Sequence, residues 1–331
     1  MKRLVALGAV ALMGLGAFAQ GGELNITSRV EAVWPEPSEE SSEWGMGFSS
    51  LYAFLDGSFN DHFSYSASMH LLSNYTKDLY NPPTSKFVDG NFLNWAYLSY
   101  DNDWMGVDAG KISLNIGSFE NELNDVDCFS PFVSPYWSDL NIYQWGGTFR
   151  LNPSENQSFE VQLTTSPFME HWRDHDWAWS VAWRGKIMGT ISTNWSLYSM
   201  RGSLDYGTSA APALTEGDHV NYTFLGLGNR YEEDKLSIDL DLHFDLKDGW
   251  DNSCFQMQGN YDYSDKIRVG CMAGLRHKEY PIVGAYTEYR PSPDLRIHAY
   301  LSDYVNNEME EGWGHDFACS IGVTYNLNFP F

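Results

Sequence analysis

Long apolar runs are what this chain most lacks. Past Gln20 there is no stretch of about twenty apolar residues, the length a helix needs to span a bilayer, so no membrane-spanning helix is available. Basic residues are scarce as well: 20 Lys and Arg face 44 Asp and Glu, for a formal charge of -24. No basic patch can offset phosphate repulsion, and nucleic acid is excluded as a partner. Cysteine is sparse, with only Cys128, Cys254, Cys271 and Cys319. Their spacing gives neither a dense disulfide framework nor the close pairs of a zinc site. By alternation Cys271 and Cys319 face outward and Cys254 inward; a bridge from Cys128 to Cys254 stays open. Catalytic signatures are missing too. There is no G-x-S-x-G and no H-E-x-x-H. His171 and His175 stand four apart in a stretch where no helix is expected. Asp245 to Asn252 has the composition of a calcium loop without its spacing. No catalytic residue, metal or cofactor is expected.

What is present is aromatic and alternating. Phe, Trp and Tyr make up 16% of the residues, a share suited to two interfacial belts. The mean hydropathy of -0.38 would suit a soluble protein. A barrel reaches the same value, because only every second strand residue meets lipid and its loops are polar. Residues 1–19 read as a secretory signal, with Lys2 and Arg3, an apolar stretch from Leu4 to Phe18, and a small-x-small site at Ala17-Phe18-Ala19. Residues 20–331 are then the mature domain.

Strands recur throughout that domain. From Phe317 the chain runs F-A-C-S-I-G-V-T-Y-N-L-N-F-P-F. Phe317, Cys319, Ile321, Val323, Tyr325, Leu327, Phe329 and Phe331 share one parity; small and polar residues share the other. Leu236 to Leu246 puts Leu, Ile and Phe on one face and Ser237, Asp239, Asp241, His243 and Asp245 on the other. Such strands separate oil from water. An exported chain without spanning helices satisfies its backbone in lipid only by closing a sheet. Short and long connections alternate, with Ser118 to Asn141 and Arg201 to Val220 the longest. The pattern predicts an all-β, transmembrane, antiparallel up-and-down barrel of about sixteen strands. Fourteen or eighteen strands also fit, and a soluble β-sandwich is the competing architecture.

These features resemble those of a bacterial outer-membrane porin. The last strand, with Tyr325, Leu327, Phe329 and Phe331, is similar to the family's assembly signal, although Pro330 departs from the usual form. Asn94 to Glu122 is similar to a hairpin of the phosphate-selective porin O and P type, through Ala96, Tyr97, Leu98, Gly110, Lys111 and Gly117. The Pro-Phe-Gly bend of that type is replaced by N-I-G. The resemblance implies an outer-membrane location and contact with outer-membrane lipids. It also implies recognition by the barrel-assembly machinery, and it suggests a homotrimer. The third external loop, residues 118–141, would fold inward as a constriction carrying Glu120, Glu122, Asp125, Asp127 and Asp139.

Alternation places further charges in the lumen: Arg29, Arg150, Arg184, Arg268, Arg276 and Arg296, with Asp239, Asp241 and Asp245. The arginines either form a wall opposite the acidic loop or pair locally with carboxylates and brace the barrel. The acid excess argues for cations over anions and against phosphate selectivity. Tyr52, Phe54, Tyr97, Tyr198, Tyr286 and Tyr300 point the same way, as a stacking track for sugars or as packing against the inner loop. The expected function is passive diffusion of ions and small hydrophilic solutes, without enzymatic activity. The alternatives are a channel biased toward sugars or other nutrients, and a non-conducting structural or adhesin barrel.

Overall fold

A computed structural model describes residues 21–34, 44–45, 49–72, 93–122, 142–167, 176–187, 189–202, 220–247, 249–276, 280–309 and 312–331. Sixteen strands form among them. The first eight are β1 (Gly21–Trp34), β2 (Ser50–Ser58), β3 (Phe63–Leu72), β4 (Leu93–Asp101), β5 (Met105–Ser113), β6 (Tyr143–Ser154), β7 (Gln157–Thr165) and β8 (Trp177–Ile187). The second eight are β9 (Ile191–Gly202), β10 (Val220–Glu233), β11 (Leu236–Asp245), β12 (Gly249–Ser264), β13 (Ile267–Arg276), β14 (Tyr280–Ser292), β15 (Leu295–Met309) and β16 (Gly312–Pro330). Each pairs with its chain neighbours, and β1 pairs antiparallel with β16, so the sheet closes on itself. The closed ring removes the sandwich as an alternative and fixes the strand number at sixteen.

The surface is inverted relative to a soluble protein. Along β7, Phe159, Val161 and Leu163 are exposed, while Glu160, Gln162 and Thr164 are buried. Along β16, Ile321 (57% exposed) and Val323 face out, with Ser320 and Thr324 buried on either side of them. An exposed apolar face around a closed sheet matches a lipid surrounding, and the buried polar face lines the interior. Tyr325, Leu327, Phe329 and Phe331 all lie on the outer face.

Short turns close one end of the barrel. In the β2–β3 turn, Asn60 Oδ1 accepts the backbone N–H groups of His62 and Phe63, each at 2.9 Å. In the β4–β5 turn, Asn102 Oδ1 accepts those of Trp104 and Met105 at 3.1 and 3.0 Å. These are Asx turns, in which a side-chain carbonyl substitutes for the ladder. Just above this end sits a tyrosine collar. Tyr100, Tyr231, Tyr261, Tyr289 and Tyr325 pair in register with Phe63, Ile191, Leu236, Ile267 and Leu295, the first residues of β3, β9, β11, β13 and β15. Rings at one level on the outward face suit a headgroup boundary.

Two strand bounds read from the alternation, Met105 to Gly117 for β5 and a start at Cys254 for β12, are corrected in detail. β5 ends at Ser113 rather than running to Gly117: past Leu114 the chain leaves the ladder, and Gly117 takes a φ of +71° that strand geometry does not allow. The β11–β12 connection is a tight hairpin and not a longer external loop: β12 already begins at Gly249. Gly249 turns the chain with a φ of +64°, and Asp245 Oδ1 accepts the Lys247 N–H at 2.8 Å. Pro330 does not end the pairing. The Phe331 N–H donates to Gly22 O at 2.9 Å, and the Gly22 N–H donates to Phe331 O at 3.0 Å.

Candidate functional site: an inward-folded segment and its lumen

After β5 the chain turns into the barrel. The Leu114 N–H donates to Ile142 O at 2.8 Å, closing the base of the excursion. The residues that follow are attached to the inner wall one after another. The Asn115 N–H donates to Gln162 Oε1 at 2.9 Å, and Asn115 Nδ2 donates to Glu160 Oε2 at 2.6 Å. Asn194 Nδ2 donates to Ser118 O at 3.0 Å. The two carboxyl oxygens of Asp241, a side chain only 3% exposed, accept the N–H groups of Phe119 and Glu120 at 3.0 and 3.2 Å. A single 3-10 turn, Glu120–Glu122, ends the described part of the segment.

Glycine lets the segment lie flat on the wall. A Cβ on Gly226 would stand 2.0 Å from Ile116 O, and one on Gly228 would stand 3.0 Å from the Ser118 Cα. Gly117, at φ +71°, faces Ser196 and Gly226 O. Apolar packing adds to these contacts: Leu114 and Ile116 form a buried cluster with Ala178, Tyr198, Met200 and Phe224. N-I-G therefore holds the segment down through its isoleucine and its bend.

The charges pair across the same surface. Glu122 sits between Arg184 (Nη1 to Oε1, 2.9 Å) and Arg230 (Nη1 to Oε2, 3.2 Å). Arg184 also contacts Glu160 at 3.1 Å, and Arg230 holds Asp239 through Nε at 2.6 Å. The Arg230 guanidinium lies 4.4 Å from the centre of the Phe119 ring, a cation–π distance. Elsewhere Arg29 pairs with Glu31, Arg150 with Asp108 and Asp101, Arg268 with Asp262, and Arg290 and Arg296 with Glu288. The geometry is local pairing with carboxylates along the wall. Asp245 lies at the hairpin end of β11. The Arg276 side chain, Asp125, Asp127 and Asp139 lie outside the described residues. So does Cys128, and with it the Cys128–Cys254 bridge; Cys254 itself is buried facing inward.

Tyr198 packs against the folded-in segment, and Tyr286 and Tyr300 are buried together on β14 and β15. Beside the segment a cavity of about 420 Å³ is lined by Trp95, Tyr97, Asp108, Arg150, Glu160 and Arg184. A second, of about 460 Å³, lies toward the short-turn end and is lined by Glu23, Asn25, Phe54, Asp56, Trp95 and Arg296.

No protein-family profile matches the chain, and no curated protein matches it. Solved structures do. An anion-selective porin from Comamonas acidovorans superposes with a TM-score of 0.65 at 10% identity, over 93% of this chain and 100% of that one. The chain has a porin fold. OmpF of Salmonella typhi, solved in complex with daunomycin, gives 0.63 at 11% identity, over 92% and 97% of the two chains. The trimer form of OmpT from Vibrio cholerae gives 0.60 at 12% identity, over 93% and 99%. This porin-fold barrel shares the sixteen-stranded architecture with them, and at such identities the likeness extends to the fold alone.

Several residues that build the site carry no motif. Gln162 and Asn194 are ordinary polar residues on lumen-facing strand positions, and Asn115 is one within the folded-in segment. One signal was readable: G-L-G at Gly226 to Gly228 puts two glycines on one face of a strand, a pattern that marks close backbone approach.

Proposed function

We propose that the chain forms an outer-membrane channel through which ions and small hydrophilic solutes diffuse passively, with a preference for cations. The observation that carries this reading is the combination of a lipid-suited exterior with a polar interior in which cavities of about 420 and 460 Å³ lie among the described residues. Charge supports the cation preference. The chain carries a formal charge of -24, and the described lumen arginines lie beside carboxylates, so little free positive potential is left to attract anions. Residues 118–141 serve as the constriction, with Glu120 and Glu122 on its anchored limb and Asp125, Asp127 and Asp139 beyond it.

Residues 1–19 direct export, and Tyr325, Leu327, Phe329 and Phe331 present the outward face read by the assembly machinery. A homotrimer is the expected assembly, in line with the trimer form of the Vibrio cholerae protein. The barrel is not an enzyme in this reading; the Comamonas neighbour, itself a porin, supports that.

Reconstitution of the mature chain into planar bilayers tests the proposal. Ohmic steps are expected, with a reversal potential displaced toward the cation Nernst value in a KCl gradient. A chloride-directed reversal potential would remove the cation preference. A silent barrel would leave the structural or adhesin alternative.

A further inference from the structure

The lumen carries a continuous run of aromatic contacts that the diffusion mechanism does not require. Phe54 lies 5.8 Å from Trp95, and Trp95 lies 5.6 Å from Tyr143, measured between ring centroids. Behind Phe54, Tyr52 stacks at 5.9 Å, and His70 stacks on Tyr52 at 4.2 Å. Tyr52 is only 1% exposed, so this pair forms a rigid backing. The front three rings are arranged along the interior. Phe54 lines the cavity near the short turns, Tyr143 lines the cavity beside the folded-in segment, and Trp95 lines both. Trp95 is further fixed by its indole N–H, which donates to Ser66 Oγ at 2.8 Å. Polar groups flank the rings on each side: Asn25 and Asp56 in one cavity, Asp108 and Arg150 in the other.

Successive aromatic rings tilted by 39° and 43° to one another, with carboxylates, an amide and a guanidinium around them, match one solute chemistry best. A pyranose ring presents C–H faces to stack and equatorial hydroxyls that both donate and accept hydrogen bonds. Asp108 and Arg150, already paired with each other, make good partners for a neutral polyol, because they need not give up a counter-charge to bind it. A fixed aromatic platform also costs little ordering entropy on binding. We infer that Phe54, Trp95 and Tyr143 form a binding track for neutral oligosaccharides running between the two lumen cavities. This rests on the channel reading and narrows it to a solute class.

The test uses the mature chain in planar bilayers with maltotriose added to one side. Current should fall saturably with maltotriose. The half-blocking concentration, normalised to each variant's own sugar-free current, should rise about tenfold in Trp95→Ala, the scale expected for one lost stacking platform. Trp95→Phe keeps a ring without the indole N–H and should stay within about threefold of the natural chain, which separates stacking from the Ser66 bond. Phe54→Ala should act in the same direction as Trp95→Ala. Steady conductance that maltotriose does not reduce overturns the track while leaving the channel standing. So does block that Trp95→Ala and Phe54→Ala leave unchanged. Block by benzyltrimethylammonium with none by maltotriose would reassign the rings to aromatic cations. Absence of any conductance refutes the channel reading, and the track with it.

Discussion

The carboxyl group of Asp241 accepts two backbone N–H groups of the folded-in segment, and removing it has a calculable effect. In Asp241→Ala the N–H groups of Phe119 and Glu120 lose the oxygens that accept them at 3.0 and 3.2 Å. Both donors then either stay buried without a partner or leave the wall to reach water. Orphaning a buried donor costs about 1–3 kcal/mol, so two cost about 2–6 kcal/mol. The barrel does not share this loss, because the β10–β11 and β11–β12 ladders use the Asp241 backbone and not its side chain. The cost therefore falls on local detachment of the segment. At 1.4 kcal/mol per factor of ten, the detached population should grow by at least about thirtyfold. Hydrogen exchange of the detergent-folded protein reads this directly. Peptides covering residues 114–122 should lose protection by that factor, while peptides covering β11 keep theirs. Asp241→Asn retains one carbonyl oxygen and should fall between the two. Unchanged protection at residues 114–122 in Asp241→Ala would refute the idea that this carboxyl anchors the segment.

Gly226→Ala forces a methyl to within 2.0 Å of Ile116 O, and overpacking of this kind costs about 1–3 kcal/mol; the same peptides should exchange faster, and equal rates would argue against close backbone contact. Glu122→Gln removes the charge shared by Arg184 and Arg230, so the cation preference should fall in a KCl gradient; a rise would contradict the pairing. Deleting Phe331 removes two seam hydrogen bonds, at 2.9 and 3.0 Å, each worth about 0.5–1.5 kcal/mol; the urea midpoint of the folded barrel should drop accordingly, and an unaltered midpoint would show the seam is indifferent to its last residue. Asp262→Asn breaks a half-exposed pair with Arg268, and its effect on the same midpoint should stay below about 1 kcal/mol.

The barrel itself was legible because its information is periodic. Leu236 to Leu246 repeats one choice at every second residue, and a period-2 pattern between oil and water has few architectural solutions. The site was legible only in part. Asp241 was visible as a lumen carboxylate, but its two partners are backbone N–H groups more than a hundred residues earlier, and backbone donors leave no mark in the sequence. The end of β5 was misplaced for a related reason. Ile112 to Ile116 continues a strand-like alternation, yet the chain leaves the ladder after Ser113, and Ile116 joins the buried cluster with Tyr198. The β11–β12 hairpin was hidden by its acids, which resemble loop composition but form a tight turn on Gly249.

The seam between β1 and β16 joins Glu23 to Pro330 and Trp34 to Cys319, residues near opposite ends of the described chain. No earlier pairing can substitute for it, so both outer edges stay open until the final segment arrives. Contacts of such sequence separation form slowly, and open edges invite pairing with other chains. Barrel formation should thus hinge on one late docking event, with chains shortened before Asp316 trapped as sticky, unfinished ribbons.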